Sequence, residues 1–493
     1  MENIAYVQLD EKKTKLLIVQ SRNGRYRVVE EVENYYDLSK DLTIDCLFSP
    51  KTRNDILKVM NIYRYTIENY KVGKMIAVAS NMIVKARNYR GLLDEIYTNT
   101  GINFSIMSDE EVVKNTYLAL MQSIDVSKGY IINVGAFQTY ILRFNRRNVI
   151  EFNVLPYGFS NLSNSGMNFL DMTATVRKAI ANLSLTCSFE EDQIMGCGST
   201  FIDVSRIAKK LTRYPIDIDN NYELSKSAVD KVADFVKEVD AQKVKKIKGL
   251  GPCGAENLNG GLAIVSAIYE AFKIDSVTVS TAEALQGIVQ SNVVGSANEK
   301  YSDLLQNSLD NYYEFKREGV AINGSVYEMA ILLFKQLKVV HKLPRSYMKP
   351  LKIASYMFDC GKYINFKDFQ KHSFYAILNS NIVGASQKDV LLGAFACTCQ
   401  NLDNFNLAEM MKYKEIMDED DIDAIRKLGV IINLAVNLNA SRKNVITDII
   451  CDILGDSIIM KTVLNGDPSF EIIQSMKIAD DFKKIFKKSL QII

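Results

Sequence analysis

Tyr130-Ile131-Ile132-Asn133-Val134, Gly135-Ala136-Phe137-Gln138 and Thr139-Tyr140-Ile141-Leu142-Arg143-Phe144 follow one another as an apolar run, a glycine-led break and an alternating run. Two runs of strand-forming residues joined by a short break read as an antiparallel hairpin. The chain opens in the same way, with Ala5-Tyr6-Val7-Gln8-Leu9, a charged turn at Asp10-Glu11-Lys12-Lys13, then Leu16-Leu17-Ile18-Val19 and Tyr26-Arg27-Val28-Val29. Recurrence of one unit predicts two similar lobes facing each other across a cleft. After the first hairpin come a helical stretch from about Asn54 to Tyr70, a buried strand Met75-Ile76-Ala77-Val78-Ala79 and a helix through Leu92-Leu93-Asp94-Glu95-Ile96. Strands alternating with helices indicate an α/β layer structure.

From about Asn292 to Asp310 the chain turns polar and its strand signals fade. Helical periodicity dominates beyond, as in Val326-Tyr327-Glu328-Met329-Ala330-Ile331-Leu332-Leu333-Phe334 and Val390-Leu391-Leu392-Gly393-Ala394-Phe395. The expected organisation is a first lobe over 1–124, a second over 125–298 and a mainly helical unit over 299–493 that ends in a small mixed segment. At 493 residues the chain is too long for one core, since single domains stop growing near roughly 250–300 residues.

Apolar residues make up 47% and charged residues 24%, a globular composition rather than a disordered one. A net charge of +2 supplies no global field for DNA, RNA or an anionic membrane. The run Lys243-Val244-Lys245-Lys246-Ile247-Lys248 reads as a solvated face before an anion contact. No apolar stretch of about 18 residues is present, and no basic-then-apolar segment precedes the first strand, so a cytoplasmic protein is expected. Cys397-Thr398-Cys399 lacks partners for a zinc site and reads as buried reduced thiols. With only His341 and His372 in the chain, a His-based triad or multi-His metal centre is excluded.

Several segments, in order and spacing, resemble the exopolyphosphatase and guanosine-pentaphosphate phosphatase (Ppx/GppA) family. Met107-Ser108-Asp109-Glu110-Glu111 resembles its Ser-Gly-x-Glu-Glu segment, and Ala77-Val78-Ala79-Ser80-Asn81 with Ala86-Arg87-Asn88 its Val-x-Thr-x-x-x-Arg-x-Ala-x-Asn segment. Leu155-Pro156-Tyr157-Gly158, Met195-Gly196-Cys197-Gly198-Ser199-Thr200, Ile247-Lys248-Gly249-Leu250, Gly260-Gly261-Leu262-Ala263-Ile264 and Val277-Thr278-Val279-Ser280 fall in family order. The third unit resembles the family's helical HD-type extension at Met357-Phe358-Asp359-Cys360-Gly361-Lys362 and Lys371-His372-Ser373-Phe374-Tyr375. The resemblance implies two actin/hexokinase-like (ribonuclease H-like) lobes with a phosphate chain held between them, a water-activating carboxylate, a magnesium ion in active members, and a homodimer. The implied ligands are inorganic polyphosphate and a guanine nucleotide.

Against that pattern the chain has lost most of the chemistry. Where the family has Asp-x-Gly-Ser-Asn-Ser in the first hairpin, Gln8-Leu9-Asp10-Glu11-Lys12-Lys13 stands here, and the two added acids are expected to repel phosphate. In the second hairpin, Asp-x-Gly-Gly-Gly-Ser-Thr-Glu has become Asn133-Val134-Gly135-Ala136-Phe137-Gln138-Thr139-Tyr140, so that only Gly135 and Thr139 survive. Phe137 is expected to narrow the pocket. The family's two phosphate-clamping arginines fall on Val84 and Leu285, and its general base falls on Val112. Glu111 is the remaining catalytic candidate, but Ser108-Asp109-Glu110-Glu111 has the spacing of a capping box, and one helical step turns a side chain by about 100°.

The candidate phosphate-binding residues are Gly135, Thr139, Gly196, Gly198, Ser199 and Thr200, whose backbone and hydroxyl donors suit an anion. A plain strand-to-helix turn accounts for 195–200 equally well. In the helical unit the HD ligand positions read Ser325 and Phe358-Asp359, leaving Asp359 and His372 as a remnant too small to hold a metal. Two functions are therefore in contention: hydrolysis of terminal phosphate, weak or lost, and a non-catalytic binder or regulatory pseudoenzyme that keeps the cleft for a nucleotide, polyphosphate or a protein partner. Phosphotransfer is weaker, because the acids that would place a metal are missing from both hairpins.

Overall fold

The computed structural model describes residues 1–145, 148–183, 192–252, 254–294, 303–316 and 322–493. These divide into two compact units, Met1–Leu304 and Leu305–Ile493.

In the first unit one sheet contains β1 (Glu2–Leu9), β2 (Lys13–Arg22), β3 (Arg25–Tyr35), β4 (Lys74–Ala79) and β5 (Phe104–Ile106), in the order β3-β2-β1-β4-β5. Tight turns join the antiparallel pairs β1–β2 and β2–β3, whereas the parallel pairs β1–β4 and β4–β5 need helical crossovers. Pro50–Asn69 and Tyr89–Thr100 supply them. Ser49 starts the first, its Oγ accepting from the Thr52 N–H at 3.1 Å with a proline in the first turn.

The second sheet holds β6 (Lys128–Val134), β7 (Thr139–Asn145), β8 (Asn148–Leu155), β9 (Gln193–Cys197), β10 (Tyr222–Ser225) and β11 (Ser276–Val279), in the order β10-β11-β9-β6-β7-β8. Without the edge strand β10 this is the first sheet's order again, so the repeated hairpin does mark two related lobes. The middle strands β1 and β6 are buried on both faces, with Tyr6, Val7, Ile131 and Ile132 fully inside, as expected where helices cover both sides. The α/β lobes have the expected actin-like architecture.

Two helices cross between the lobes. Asp109–Met121 follows the first sheet in sequence but packs Val113, Tyr117 and Leu120 against Ile131, Leu142 and Phe144 of the second. Ala284–Val293 follows the second sheet and packs Leu285, Ile288 and Val289 against Ile4, Tyr6 and Val19 of the first. Each lobe is thus completed by a helix contributed from the other side of the chain.

The second unit is mainly helical. Ile322–Gln336, Met348–Tyr356, Gln387–Thr398 and Glu419–Asn437 enclose Leu333, Leu351, Leu391 and Leu428. It closes with a sheet β12 (Ile446–Leu454), β13 (Ser457–Leu464) and β14 (Ser489–Ile492) in that order. The polar stretch at its start is helical over Leu304–Lys316, while 295–302 lies outside the described residues. Cys397 and Cys399 are buried free thiols, and burial pushes Cys399 up to about 12. Among the described residues no helix is long and apolar enough to cross a membrane.

The positions where the resemblance places metal ligands make packing and polar contacts instead. Ser325 Oγ accepts from Asn439 Nδ2 at 2.8 Å, the buried Asp359 carboxylate stands 3.9 Å from Lys362 Nζ, and His372 is half-buried on the helix Phe369–Leu378. Among the described residues no group of three or more His, Cys, Asp or Glu is arranged to hold a metal.

Candidate phosphate-binding cleft

A cavity of about 530 Å³ lies in the first unit, between the turn of the first hairpin, the turn of the second, and the start of the helix Ser199–Thr212. Of the residues singled out from sequence, Gly135, Gly198, Ser199 and Thr200 line it. Gly198 is held at φ +90°, where a Cβ would come within 2.7 Å of the Val134 carbonyl oxygen, so only glycine lets the chain turn from β9 into the helix at the end of β6. The first N–H groups of that helix have no partner within it, and Gly198, Ser199 and Thr200 line the cavity at this end, a setting that suits an anion.

Thr139 and Gly196 are corrected by the structure, since neither reaches the cavity wall. Thr139 is buried and its hydroxyl donates to the Tyr157 carbonyl at 2.8 Å. Gly196 is a packing glycine: a Cβ there would stand 2.6 Å from the Phe201 ring, and its carbonyl accepts from Ser280 N–H. Gly135 keeps its place on the wall, yet its N–H closes the hairpin turn on the Gln138 carbonyl at 3.0 Å and so cannot serve a ligand at the same time.

Glu111 is exposed and tied into a capping box. Its N–H donates to Ser108 Oγ at 3.2 Å and its carboxylate accepts from Ser108 N–H at 2.8 Å. Val112, one residue on, is the side chain that lines the cavity. Phe137 also lines it, with Lys85 Nζ 5.9 Å from the ring centre. Val84 points to solvent and Leu285 into the core beneath the first sheet, so neither position faces the cavity.

Where the second hairpin would present polar groups to a ligand, they bind the opposite lobe. The Asp109 Oδ1 atom accepts from Tyr140 OH at 2.8 Å, Gln138 Nε2 at 2.9 Å and Asn81 Nδ2 at 2.6 Å. Burial and the Asp109 contact push the Tyr140 phenol well up, which keeps it a donor.

The cavity nevertheless carries charge that sequence reasoning missed. Lys13 and Lys15 of β2 meet the carboxylates of Glu31 and Glu33 on β3, with Lys15 directly opposite Glu33. Burial works against ionisation of Glu33, but the Tyr35 hydroxyl and the two ammonium groups prevail and bring it down to about 2. Glu283, at the entrance to Ala284–Val293, reaches the same lysines at 2.6 and 3.2 Å. The signal for the strand pairs was present in the spacing: residues two apart on a strand share a face, so Lys13 with Lys15 and Glu31 with Glu33 had to lie together. Nothing local announces Glu283, which arrives across the cleft.

Two carboxyl groups in the cavity are poised differently. Glu11 is buried, raised well above the usual carboxylate range by burial and by its neighbour Asp10, and hydrogen-bonded to the Ser80 hydroxyl. Asp203 of the cavity helix is pushed up to about 6, chiefly by burial, although the Gly251 N–H donates to it at 2.9 Å and Arg206 favours its charge. The two added acids of the first hairpin thus do line the cavity, and the one at Glu11 is held towards its neutral form. Among the described residues no three acidic groups of the cavity are arranged to hold a metal ion; Glu33 and Glu283 pair with lysine and Asp203 accepts from the Gly251 N–H.

The model of the Ppx/GppA phosphatase family matches residues 17–294, and that of Ppx/GppA phosphatase domain III matches residues 320–465. Guanosine-5'-triphosphate,3'-diphosphate pyrophosphatases of Aeromonas hydrophila and Aeromonas salmonicida are each 20% identical over 438 residues, 88% of this chain and 87% of theirs. Among solved structures, the Aquifex aeolicus family member is 19% identical with a TM-score of 0.53, over 60% of this chain and 99% of that one. An exopolyphosphatase from Cytophaga hutchinsonii is 15% identical with the same TM-score of 0.53, over 60% of this chain and 100% of its own. Likeness at that level shows the fold.

Proposed function

The chain belongs to the Ppx/GppA phosphatase family, and from that premise we propose that it binds a phosphate chain in the cleft, as inorganic polyphosphate or a guanine nucleotide, with hydrolysis weak or lost. One observation carries the proposal: at the position where the family's general base falls, the aliphatic Val112 lines the cavity, while the adjacent Glu111 is committed to its capping box. Losing a general base alone costs roughly 10²–10⁴ in rate, and losing a preorganised donor costs about 10²–10³ more where the effects are independent. Binding asks for less. The start of the helix Ser199–Thr212, whose first N–H groups have no partner within the helix, supplies attraction without any step of bond cleavage.

Hydrolysis by a rearranged site is favoured by one specific feature, the Asp203 carboxyl, which lies in the cavity with its proton affinity moved to about 6, close to that of a working general base. Purified protein with magnesium and either polyphosphate or guanosine pentaphosphate, compared with an active relative, separates the two. Phosphate release within tenfold of the relative, abolished by Asp203→Asn, establishes the rearranged hydrolase. Thermal shift by the same ligands without release is the expected result.

A further inference from the structure

Glu283 stands in the cleft as an anion would. Its Oε1 lies 2.6 Å from Lys13 Nζ and its Oε2 3.2 Å from Lys15 Nζ, one oxygen to each ammonium. Two oxygens of a terminal phosphoryl group would take the same pair of contacts. The lysines do not need Glu283 for neutrality, because Glu31 and Glu33 already balance them: Lys15 has Glu31 at 2.6 Å, and Glu33 is 3.0 Å from both. Those two glutamates are fixed by strand register on the sheet that carries the lysines. Glu283 comes from the other side of the cleft, after β11, and caps the helix Ala284–Val293 reciprocally with Gln286: its N–H is held by Gln286 Oε1 at 2.6 Å and its side chain accepts from the Gln286 N–H. Its withdrawal would give up the contact with the Gln286 N–H, while Glu31 and Glu33 would stay paired with the lysines.

We infer that Glu283 is a built-in competitor for the anion subsite formed by Lys13 and Lys15, so that a phosphate chain enters by displacing its carboxylate. This rests on the phosphate-binding function proposed above and adds what sets its affinity and selectivity. Displacement of the Glu283 carboxylate by a single phosphoryl group gains little, since Glu31 and Glu33 still balance the lysines, whereas a chain that also reaches the start of Ser199–Thr212 gains contacts there. The cleft should therefore discriminate sharply between inorganic phosphate and tripolyphosphate, and Glu283 should be the cause.

The test is titration calorimetry with tripolyphosphate and with inorganic phosphate at fixed ionic strength, on the full chain and on Glu283→Gln. Removing the competing charge while keeping the side chain's shape is expected to tighten tripolyphosphate by about tenfold or more and to narrow its advantage over phosphate. Lys13→Gln with Lys15→Gln in the same background should erase the gain. Equal or weaker binding by Glu283→Gln overturns the competitor role; if the parent protein still binds, the phosphate-binding cleft itself survives. If neither protein binds either anion, both proposals fall. Should Glu283→Gln melt too early to titrate, Glu283→Asp draws the carboxylate back by one methylene, and a gain of several-fold is expected; no gain there also overturns the role.

Discussion

The Asn115 carbonyl oxygen lies 1.9 Å from the point where a Cβ on Gly287 would stand. The two crossing helices therefore meet backbone to backbone, and they do so where each carries one lobe's chain onto the other lobe's sheet. Two effects oppose each other in Gly287→Ala. Alanine favours the helix by about 0.8–1 kcal/mol, but forcing a methyl group into close packing costs about 1–3 kcal/mol and more where the obstacle is backbone. The clash with backbone should win from the upper end of that range, with a net loss of about 2 kcal/mol. Urea unfolding would show a lower midpoint; an unchanged one would contradict the contact.

Asp109 gathers donors from both lobes, and its loss should be felt as stability rather than chemistry. Tyr140→Phe removes one hydrogen bond to a carboxylate, worth roughly 1.5–3 kcal/mol, and the lower end is expected because Gln138 and Asn81 remain. Asp109→Ala should cost more, since all three donors then lose their acceptor. Thermal melting of the two variants should rank them in that order.

The duplication was legible because strand periodicity and the hairpin break are local, and both lie in one short stretch around Gly135. The crossing of Asp109–Met121 and Ala284–Val293 was not, because nothing in a helix's own sequence says which sheet its apolar face will meet. The cleft divides the same way. Glycines at 198 and the helix start behind it follow from strand-to-helix chemistry, whereas Gly196 shares their composition and serves only to admit the Phe201 ring. Charge is the poorest case: the spacing of Lys13 and Lys15 on one strand carried a signal that went unread, and their partner Glu283 is joined to them only by the fold.

The capping box at Ser108 gives opposite expectations for two neighbouring positions. Ser108→Ala removes the oxygen that receives the Glu111 N–H and should cost about 1 kcal/mol. Glu111→Gln can still accept from the Ser108 N–H, so its stability should fall by less, and any phosphate release the protein retains should be unaffected. A rate lowered a hundredfold in Glu111→Gln, with stability near that of the parent, would restore this residue as a catalyst.

Asp203 gives the cleft a dependence on pH that can be isolated. Its carboxyl is raised from the ordinary aspartate range to about 6 by burial, so the folded protein holds a proton there that the unfolded chain releases. Its contribution to stability is fully present below the unfolded value near 3.8, shrinks as pH rises, and is gone above the folded value of about 6. A separation of that size corresponds to roughly 2–3 kcal/mol across the window. Other carboxyls run the opposite way, Glu33 among them, since it is lowered to about 2 and stabilises the fold above its unfolded value. The stability of the parent protein alone would therefore mix the two signs. The difference between the parent and Asp203→Asn removes the common part: the parent should lose ground to the variant as pH rises from about 4 to 6 and hold a constant offset beyond. Denaturant unfolding at steps across that range measures it, and a difference that does not change with pH would mean that the Asp203 carboxyl is ionised throughout, and with it would go the case for a proton-accepting group in the cavity.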